Sequence, residues 1–399
     1  MAYVVFEEKW SDSFYIKLES EFESELALAN LESALIIDSF EQNTPIFITR
    51  FTDGLGDLIT HNRISPDNEY NLIIGENEFE SVNKKFLLAK NKFTTTAPGK
   101  TENVLSEIYF VSNHWKELIS RKRFRGWERV RYSDVVRQIA NECGFENVRI
   151  EPTEGIFNVI QPGWTNYQLL KWIKDRAVNT NDVGGYELGI RSDDALIFET
   201  VDRLNSRVPV RELYMAGMEE DVNQFFDIKI VQNYSDMINQ GASGYRYGYY
   251  NFNNRQYVRG SHSLSQSHQR QLSDWSYVTN RHNTTDNFYN GVRDIHTKNI
   301  IDSRVLSTSN SIQRIEINIV GDATLKLGDI VNILIAPTEH SKLPVNEFYS
   351  GYYMISNISH EILFKDKNYL TQLTLSRQGI NGPEVSGFVT TTIGKDISG

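Results

Sequence analysis

One cysteine in 399 residues is the first absence. Cys143 alone cannot close a disulfide within the chain, and it cannot build a zinc site from several thiolates. It sits in "NECGF", which reads as a helix end, so a small packed residue is the expectation there. Long hydrophobic runs are missing too. No apolar stretch approaches the roughly 20 residues of a membrane span. The opening "MAYVVFEEKW" carries acids where a secretory leader needs a basic start, which argues against export. Positive charge is in short supply: 41 Lys and Arg stand against 52 Asp and Glu, for a net charge of −11. A chain with that balance is poorly suited to wrapping nucleic acid, because counterion release needs clustered cations. A surface that repels DNA is compatible with it.

Motifs of catalysis are also missing. There is no G-x-S-x-G elbow and no P-loop. "GLG" at 54–56 lacks the third glycine and the following helix of a dinucleotide fingerprint. The eight histidines never pair at i, i+4 around a glutamate. His262 and His268 in "SHSLSQSH" read as solvated loop residues. Acid pairs such as Asp193–Asp194 and Glu219–Glu220 leave a two-carboxylate hydrolase open. His360 and Glu361 in "GYYMISNISHEI" are neighbours in an alternating run, so a strand would point them to opposite faces. His360 then shares a face with Met354, Ile358 and Ile362 as a packing residue. No catalytic, cofactor-binding or metal-ligating residue is assigned.

Strand signals dominate what is present. Residues 1–111 read as a first β-barrel domain. Phe14, Ile16 and Leu18 alternate there, and Ile46 and Ile48 oppose Phe47 and Thr49. "FESELALANLESAL" fits both helix and strand periods. From 112 to 207 the pattern turns to a small α+β module. "YSDVVRQIANECGF" predicts a helix with Ser133 or Asp134 as cap, a Val135/Val136/Ile139/Ala140 stripe and Gly144 as stop. "WTNYQLLKWIKDRAV" predicts a second, capped by Thr165, burying Leu169, Leu170, Trp172, Ile173 and Ala177. Residues 208–231 and 312–378 form a second β-barrel domain, with Phe226, Ile228 and Ile230 alternating in one strand and Ile315, Ile317 and Ile319 in another. A polar insertion, 232–311, interrupts it, and 379–399 reads as an extended tail. The expected class is mainly β with a small α+β module.

The one basic cluster is "RKRFRGWERVR" at 121–131. Two readings are open. Arg121, Arg123, Arg125 and Arg129 lie on a loop and pair with acids of a neighbouring subunit, or cations interleaved with Phe124 and Trp127 hold a single strand of nucleic acid. The first suits a chain of net charge −11 better.

Three stretches, in order, resemble the baseplate hub proteins of contractile-tailed bacteriophages and the N-terminal hub part of type VI secretion spike proteins. "VNKKFLLAKNKFTTTAPGKTENVLSEIYFVSNHWKELISRKRF", 82–124, is similar to the closing hairpin of the first hub barrel and the crossing beyond it. "GWTNYQLLKWIKDRAV", 163–178, is similar to the family's capped helix. "LKLGDIVNILI", "GYYMISNISHEI" and "YLTQLTLSRQ" resemble its closing pattern, a GD turn, a strand ending in histidine and a strand ending near an arginine, here Arg377. The resemblance implies a non-enzymatic homotrimer in which two tube-like barrels per subunit give a pseudo-sixfold ring. Such a ring adapts a sixfold tail tube to a threefold central spike and surrounds the channel for DNA. It implies no cofactor, a place in the virion tail baseplate after assembly in the host cytoplasm, and DNA only in transit. Its partners would be the tail tube or a tube initiator, the central spike, baseplate wedge proteins and the tape measure protein. Val385, Phe388, Val389 and Ile393 of the tail are then expected to meet the spike or a neighbouring subunit by strand addition. The insertion matches nothing in the family. A cell-wall hydrolase of the tail tip, or a glycan- or receptor-binding tail protein using the Tyr/Asn-rich loop "GYRYGYYNFNNRQY", is the alternative.

Overall fold

The computed structural model describes residues 3–11, 14–20, 30–53, 68–76, 79–95, 104–181, 183–215, 223–232, 244–251, 255–263, 275–276, 291–292, 299–300, 303, 305–308, 310–336, 346 and 348–380. Among them no helix is long and apolar enough to cross a membrane.

Seven strands open the chain: β1 (Tyr3–Ser11), β2 (Phe14–Ser20), β3 (Asn30–Ser39), β4 (Ile46–Asp53), β5 (Glu69–Glu76), β6 (Phe79–Thr95) and β7 (Val104–Ser112). They pair antiparallel in the order β1-β2-β5-β6-β7-β4-β3. Alternation decides which side chains go in. Phe14, Ile16 and Leu18 of β2 and Phe47, Thr49 and Phe51 of β4 are buried, as their period of two requires. These side chains join Tyr70, Leu72, Phe86 and Phe110 in one core. The ambiguous leucine-rich stretch resolves into strand over Asn30–Ser39, its first residues lying outside those described.

The module follows. A single π-type turn, Lys116–Ser120, leads into β8 (Lys122–Val130). The basic cluster is therefore a strand and not the expected loop; β8 pairs with β10 (Phe157–Thr165) as a two-stranded ribbon. Between them lie the Tyr132–Cys143 helix and β9 (Asn147–Ile150). That helix starts two residues earlier than a Ser133 cap would give, and three earlier than an Asp134 cap would give. Its N-cap is Arg131, without a side-chain cap bond, and Ser133 and Asp134 are inside the first turn. The Ser133 N–H is satisfied instead by Thr153 Oγ1, 2.9 Å away. Gly144 ends the helix at φ 79°, a left-handed conformation that favours glycine. The Asn166–Lys174 helix has a full capping box between Thr165 and Gln168. β11 (Tyr186–Ile190) and β12 (Ala195–Thr200) complete a sheet of order β11-β12-β9, and a short helix, Val201–Asn205, closes the module.

The second β unit begins with β13 (Arg211–Met215) and β14 (Gln224–Gln232). Phe225, not Phe226, enters the core, because a bulge between Phe226 and Lys229 with Asp227 at φ 55° breaks the expected alternation. Within the polar insertion, β15 (Gly244–Asn251) and β16 (Gln256–Ser263) form a hairpin, so the Tyr/Asn-rich stretch is strand where a loop was expected. β17 (Trp275–Ser276) and β18 (Gly291–Val292) are short. Helical residues 305–308 then press Val305 and Leu306 into the protein, and Ser303 Oγ accepts the Gly185 N–H at 3.1 Å. β19 (Gln313–Val320), β20 (Ile330–Leu334), β21 (Gly351–Leu363), β22 (Asn368–Arg377) and β23 (Gly379–Ile380) finish the described chain.

Six of these strands close a barrel: β21-β20-β13-β14-β19-β22, with β22 pairing back onto β21. Ile315, Ile317 and Ile319 fill it with Leu373 and Leu375. The GD turn works as expected, Gly328 sitting at φ 80° before β20. The thirteen residues of β21 do more than close the barrel. Its first half pairs with β20, and its second half, Asn357–Leu363, pairs with β3. One continuous sheet therefore joins both β units.

Candidate functional site

The joint between the units is built along β21. Ile358 packs in the closed barrel's core and Ile362 in the first unit's core. His360 stands between them on the same face and is buried. Tyr369 Oη and Thr371 Oγ1 lie 3.0 and 3.1 Å from its Nδ1. Burial, with the nearby Lys326 charge, pushes the imidazole down to about 3, so it is neutral at physiological pH. Glu361 is exposed on the other face, which leaves the two side chains unable to cooperate. Met354 departs from the expected face. A bulge between Ile355 and Asn357 shifts the phase, and Met354 packs with Ile197, Leu204, Ile330 and Phe40. That small cluster draws one apolar side chain or more from each of the three units.

An ionic cluster completes the joint. Lys84 of β6 is almost wholly buried. Its Nζ lies 2.6 Å from Asp194 Oδ1 and 3.4 Å from the Arg191 carbonyl, both on the module. His114 Nε2 meets the same Asp194 oxygen, while His114 Nδ1 lies 2.7 Å from the Cys143 carbonyl. Asp38 of β3 accepts the Ser192 N–H at 2.6 Å. Burial alone would raise the Asp194 carboxyl; the His114 hydrogen bond and the Lys84 charge outweigh it and hold the group at about 2. Burial lowers Lys84 and raises Asp38, each opposed by its partners. Asp194 sits at φ 64°, a left-handed position that Asp tolerates better than most residues. The turn is thus shaped to aim one carboxylate at Lys84 of the first unit and at His114 just beyond it.

The predicted arginines separate in the ribbon. Arg121 and Arg123 reach Glu117 at 2.8 and 2.6 Å. Arg125 donates to both Glu142 carboxylate oxygens at 2.7 Å, to Gln161 at 2.8 Å and to Asn166 at 3.0 Å. It also stacks over Trp127 at 4.6 Å. Arg129 is exposed at φ 51°, its N–H bonded to Asn158. Cys143 is buried beneath, its thiol pushed up to about 11 by burial, so it is a packing residue and a poor nucleophile. The tail residues Val385, Phe388, Val389 and Ile393 lie outside the described residues, as does His268.

A polar wall runs over the joint. The outward faces of β3, β21, β22 and β19 line a groove of about 530 Å³. Glu316 and Glu361 lie along it, and Arg314 pairs with Glu41 at 2.8 Å. Among the described residues no group of three or more His, Cys, Asp or Glu side chains is placed to hold a metal ion. In sequence Asp194 stands out only as half of an acid pair; its partners Lys84 and His114 lie 110 and 80 residues away and carry no local signal of it.

No family model matches the chain, and no curated protein matches it in sequence. Solved structures do match in fold. A tail protein from Neisseria meningitidis aligns over 92% of this chain and 98% of its own, with TM-score 0.61 at 11% identity. The 43 kDa tail protein of prophage MuSo2 from Shewanella oneidensis aligns over 92% and 99%, with TM-score 0.60 at 10% identity. An E. coli type VI secretion component, described as structurally similar to the T4 tail proteins gp27 and gp5, aligns over 90% and 76%, with TM-score 0.50 at 9% identity. The chain shares the fold of these tail proteins.

Proposed function

We propose that the chain is a structural baseplate hub of a contractile phage tail. It assembles as a homotrimer whose six β units form a pseudo-sixfold ring between a sixfold tube and a threefold spike. The observation that carries this is the pair of β units fused through β21, in a chain that aligns end to end with tail proteins. A tube-like ring needs its units held at one angle, and the shared strand with its apolar and ionic clusters supplies that rigidity. The polar wall over β3, β21, β22 and β19 suits a surface that water and DNA pass without adhering, and the net charge of −11 agrees. Spike, tube, wedge and tape measure proteins are the partners of this reading, and the tail 379–399 is its spike- or neighbour-facing strand.

Mass photometry of the purified chain tests it. Particles of three times the 46.0 kDa chain mass, seen as rings by negative stain once spike is added, are the expected result. A monomer at micromolar concentration that forms no ring with spike overturns it. Removing residues 380–399 should abolish spike attachment, and unchanged attachment would remove the tail from the proposal.

A further inference from the structure

The ribbon has an outer face that its arginines do not use. Residues that pair across β8 and β10 share a face, and Phe124 pairs with Pro162 while Gly126 pairs with Ile160. Phe124 is 85% exposed and Ile160 67% exposed, and Pro162 is exposed beside them. Gly163, at φ 73°, shapes the bulge under this face. A Cβ there would lie 2.7 Å from Phe124 Cζ, so the glycine lets the ring lie flat across the bulge. On the inner face, Arg125 and Trp127 clamp the ribbon to the Tyr132–Cys143 helix through Glu142 and Gln138. An apolar patch is thus held rigidly in water, on a ribbon that pairs with no other strand among the described residues. Rigid, exposed aromatic and aliphatic side chains of this kind mark docking surfaces.

Charge selects the occupant. Lys122 lies two residues from Phe124 on the same strand face, and it is exposed, as are Arg129, Arg131 and the single acid Glu128 further along the stretch. Stretch 121–131 carries six cations and one acid; Arg121, Arg123 and Arg125 pair with Glu117 and Glu142, Lys122, Arg129 and Arg131 remain, and the chain outside the stretch sums to −16. A second copy of this chain offers the acidic surface that such a rim fits. We propose that the outer face of the β8–β10 ribbon, centred on Phe124 and Ile160, docks on an acidic surface of a neighbouring copy. The arginines on the inner face position the ribbon, and the apolar face makes the contact. This rests on the homotrimer reading above and adds the surface that holds it.

Light scattering after size exclusion tests it on three full-length proteins: wild type, Phe124→Asp/Ile160→Asp, and Val208→Asp, the last altering an 82% exposed residue outside the ribbon. The expected result is a trimeric wild type and control, with association of the double variant weakened by about tenfold or more. Wild type and double variant equally trimeric would overturn the docking surface and leave the hub reading standing. A monomeric wild type would overturn both. Photocrosslinking from p-benzoylphenylalanine at position 124, in trimers and in assembled tails, identifies the occupant. Crosslinks to acidic segments of another copy support the proposal, and crosslinks confined to a different tail protein overturn it.

Discussion

Lys84 lies buried at the joint, while Phe124 stands 85% exposed on the ribbon. Each inverts what its side chain normally prefers. The two inversions are held in place differently. At the joint the charge is matched inside the chain, by Asp194 at 2.6 Å and by the nearby Asp38. On the ribbon none of the described residues covers the ring. A buried charge with its partner supplied fixes the angle between units. An exposed apolar ring held by a rigid clamp has its partner elsewhere. The contrast predicts that damage to the joint appears as lost stability, and damage to the ribbon face as lost association.

The largest effect should come from Asp194→Asn. Asn keeps the left-handed backbone and removes the charge, leaving Lys84 buried without its nearest carboxylate. A loss of about 3 kcal/mol is expected, at the lower end for breaking a buried pair because Asp38 remains nearby. Urea denaturation at pH 7 measures it. The Lys84→Met/Asp194→Asn double variant should be more stable than Asp194→Asn alone, since it no longer buries an unpaired ammonium. A double variant that is further destabilised would show that the pair does not carry the joint.

His360 should give the joint a pH dependence. Its imidazole titrates near 6.5 in the unfolded chain and about 3 in the fold. The unfolded state therefore takes up the proton first as pH falls. The contribution of neutral His360 is complete above pH 6.5 and is lost progressively down to about pH 3. At pH 5 the loss should be about 2 kcal/mol, at about 1.4 kcal/mol per pH unit. Asp194, held at about 2, keeps its own contribution above about pH 4 and loses it only as the pH falls toward 2. Asp38 and Asp329 act in the opposite direction, because their carboxyls are raised by burial. The diagnostic is thus the difference between wild type and His360→Gln at pH 7 and pH 5. Parallel pH profiles would remove His360 from the joint's pH response.

A smaller effect belongs to the module that carries both regions. Thr165→Ala removes the side-chain half of the capping box at the foot of β10. About 1 kcal/mol should be lost. A loss that leaves the joint's pH dependence intact would show that the module's helix and the joint are energetically separate.

Much of this was legible in the sequence where a single period holds. β2, β4 and β19 show it, as do the helix stops and turns at Gly144 and Gly328. The misreadings come where one residue breaks the period. The bulge near Asp227 exchanges Phe226 for Phe225 in the core, and the bulge after Ile355 moves Met354 off the His360 face. Bulges leave no fixed residue signature, so alternation carried across them fails. The basic ribbon reads as a loop in sequence because its arginines and Phe124 show no apolar alternation; its inner face buries guanidinium stacking and ion pairs instead of hydrocarbon. The joint was invisible for another reason. Lys84 sits between Val82 and Phe86 on the inward face of β6, and nothing local announces an acid 110 residues later.

The smallest expected effect sharpens the comparison most. Phe124 loses little water contact on folding, so Phe124→Ser removes almost no buried area. Its unfolding free energy should stay within about 0.5 kcal/mol of wild type. Gly163→Ala makes a useful contrast. It forces a Cβ into the ring and into a left-handed backbone, and should cost about 1 kcal/mol through the ribbon itself. If Phe124→Ser matched the loss of Gly163→Ala, the ring would be holding the ribbon together, and its exposure would be a structural matter within the chain. If Phe124→Ser left stability unchanged while weakening association, the ring would be needed only once a second molecule arrives. Thermal melts of the two variants, set beside their assembly masses, separate those cases.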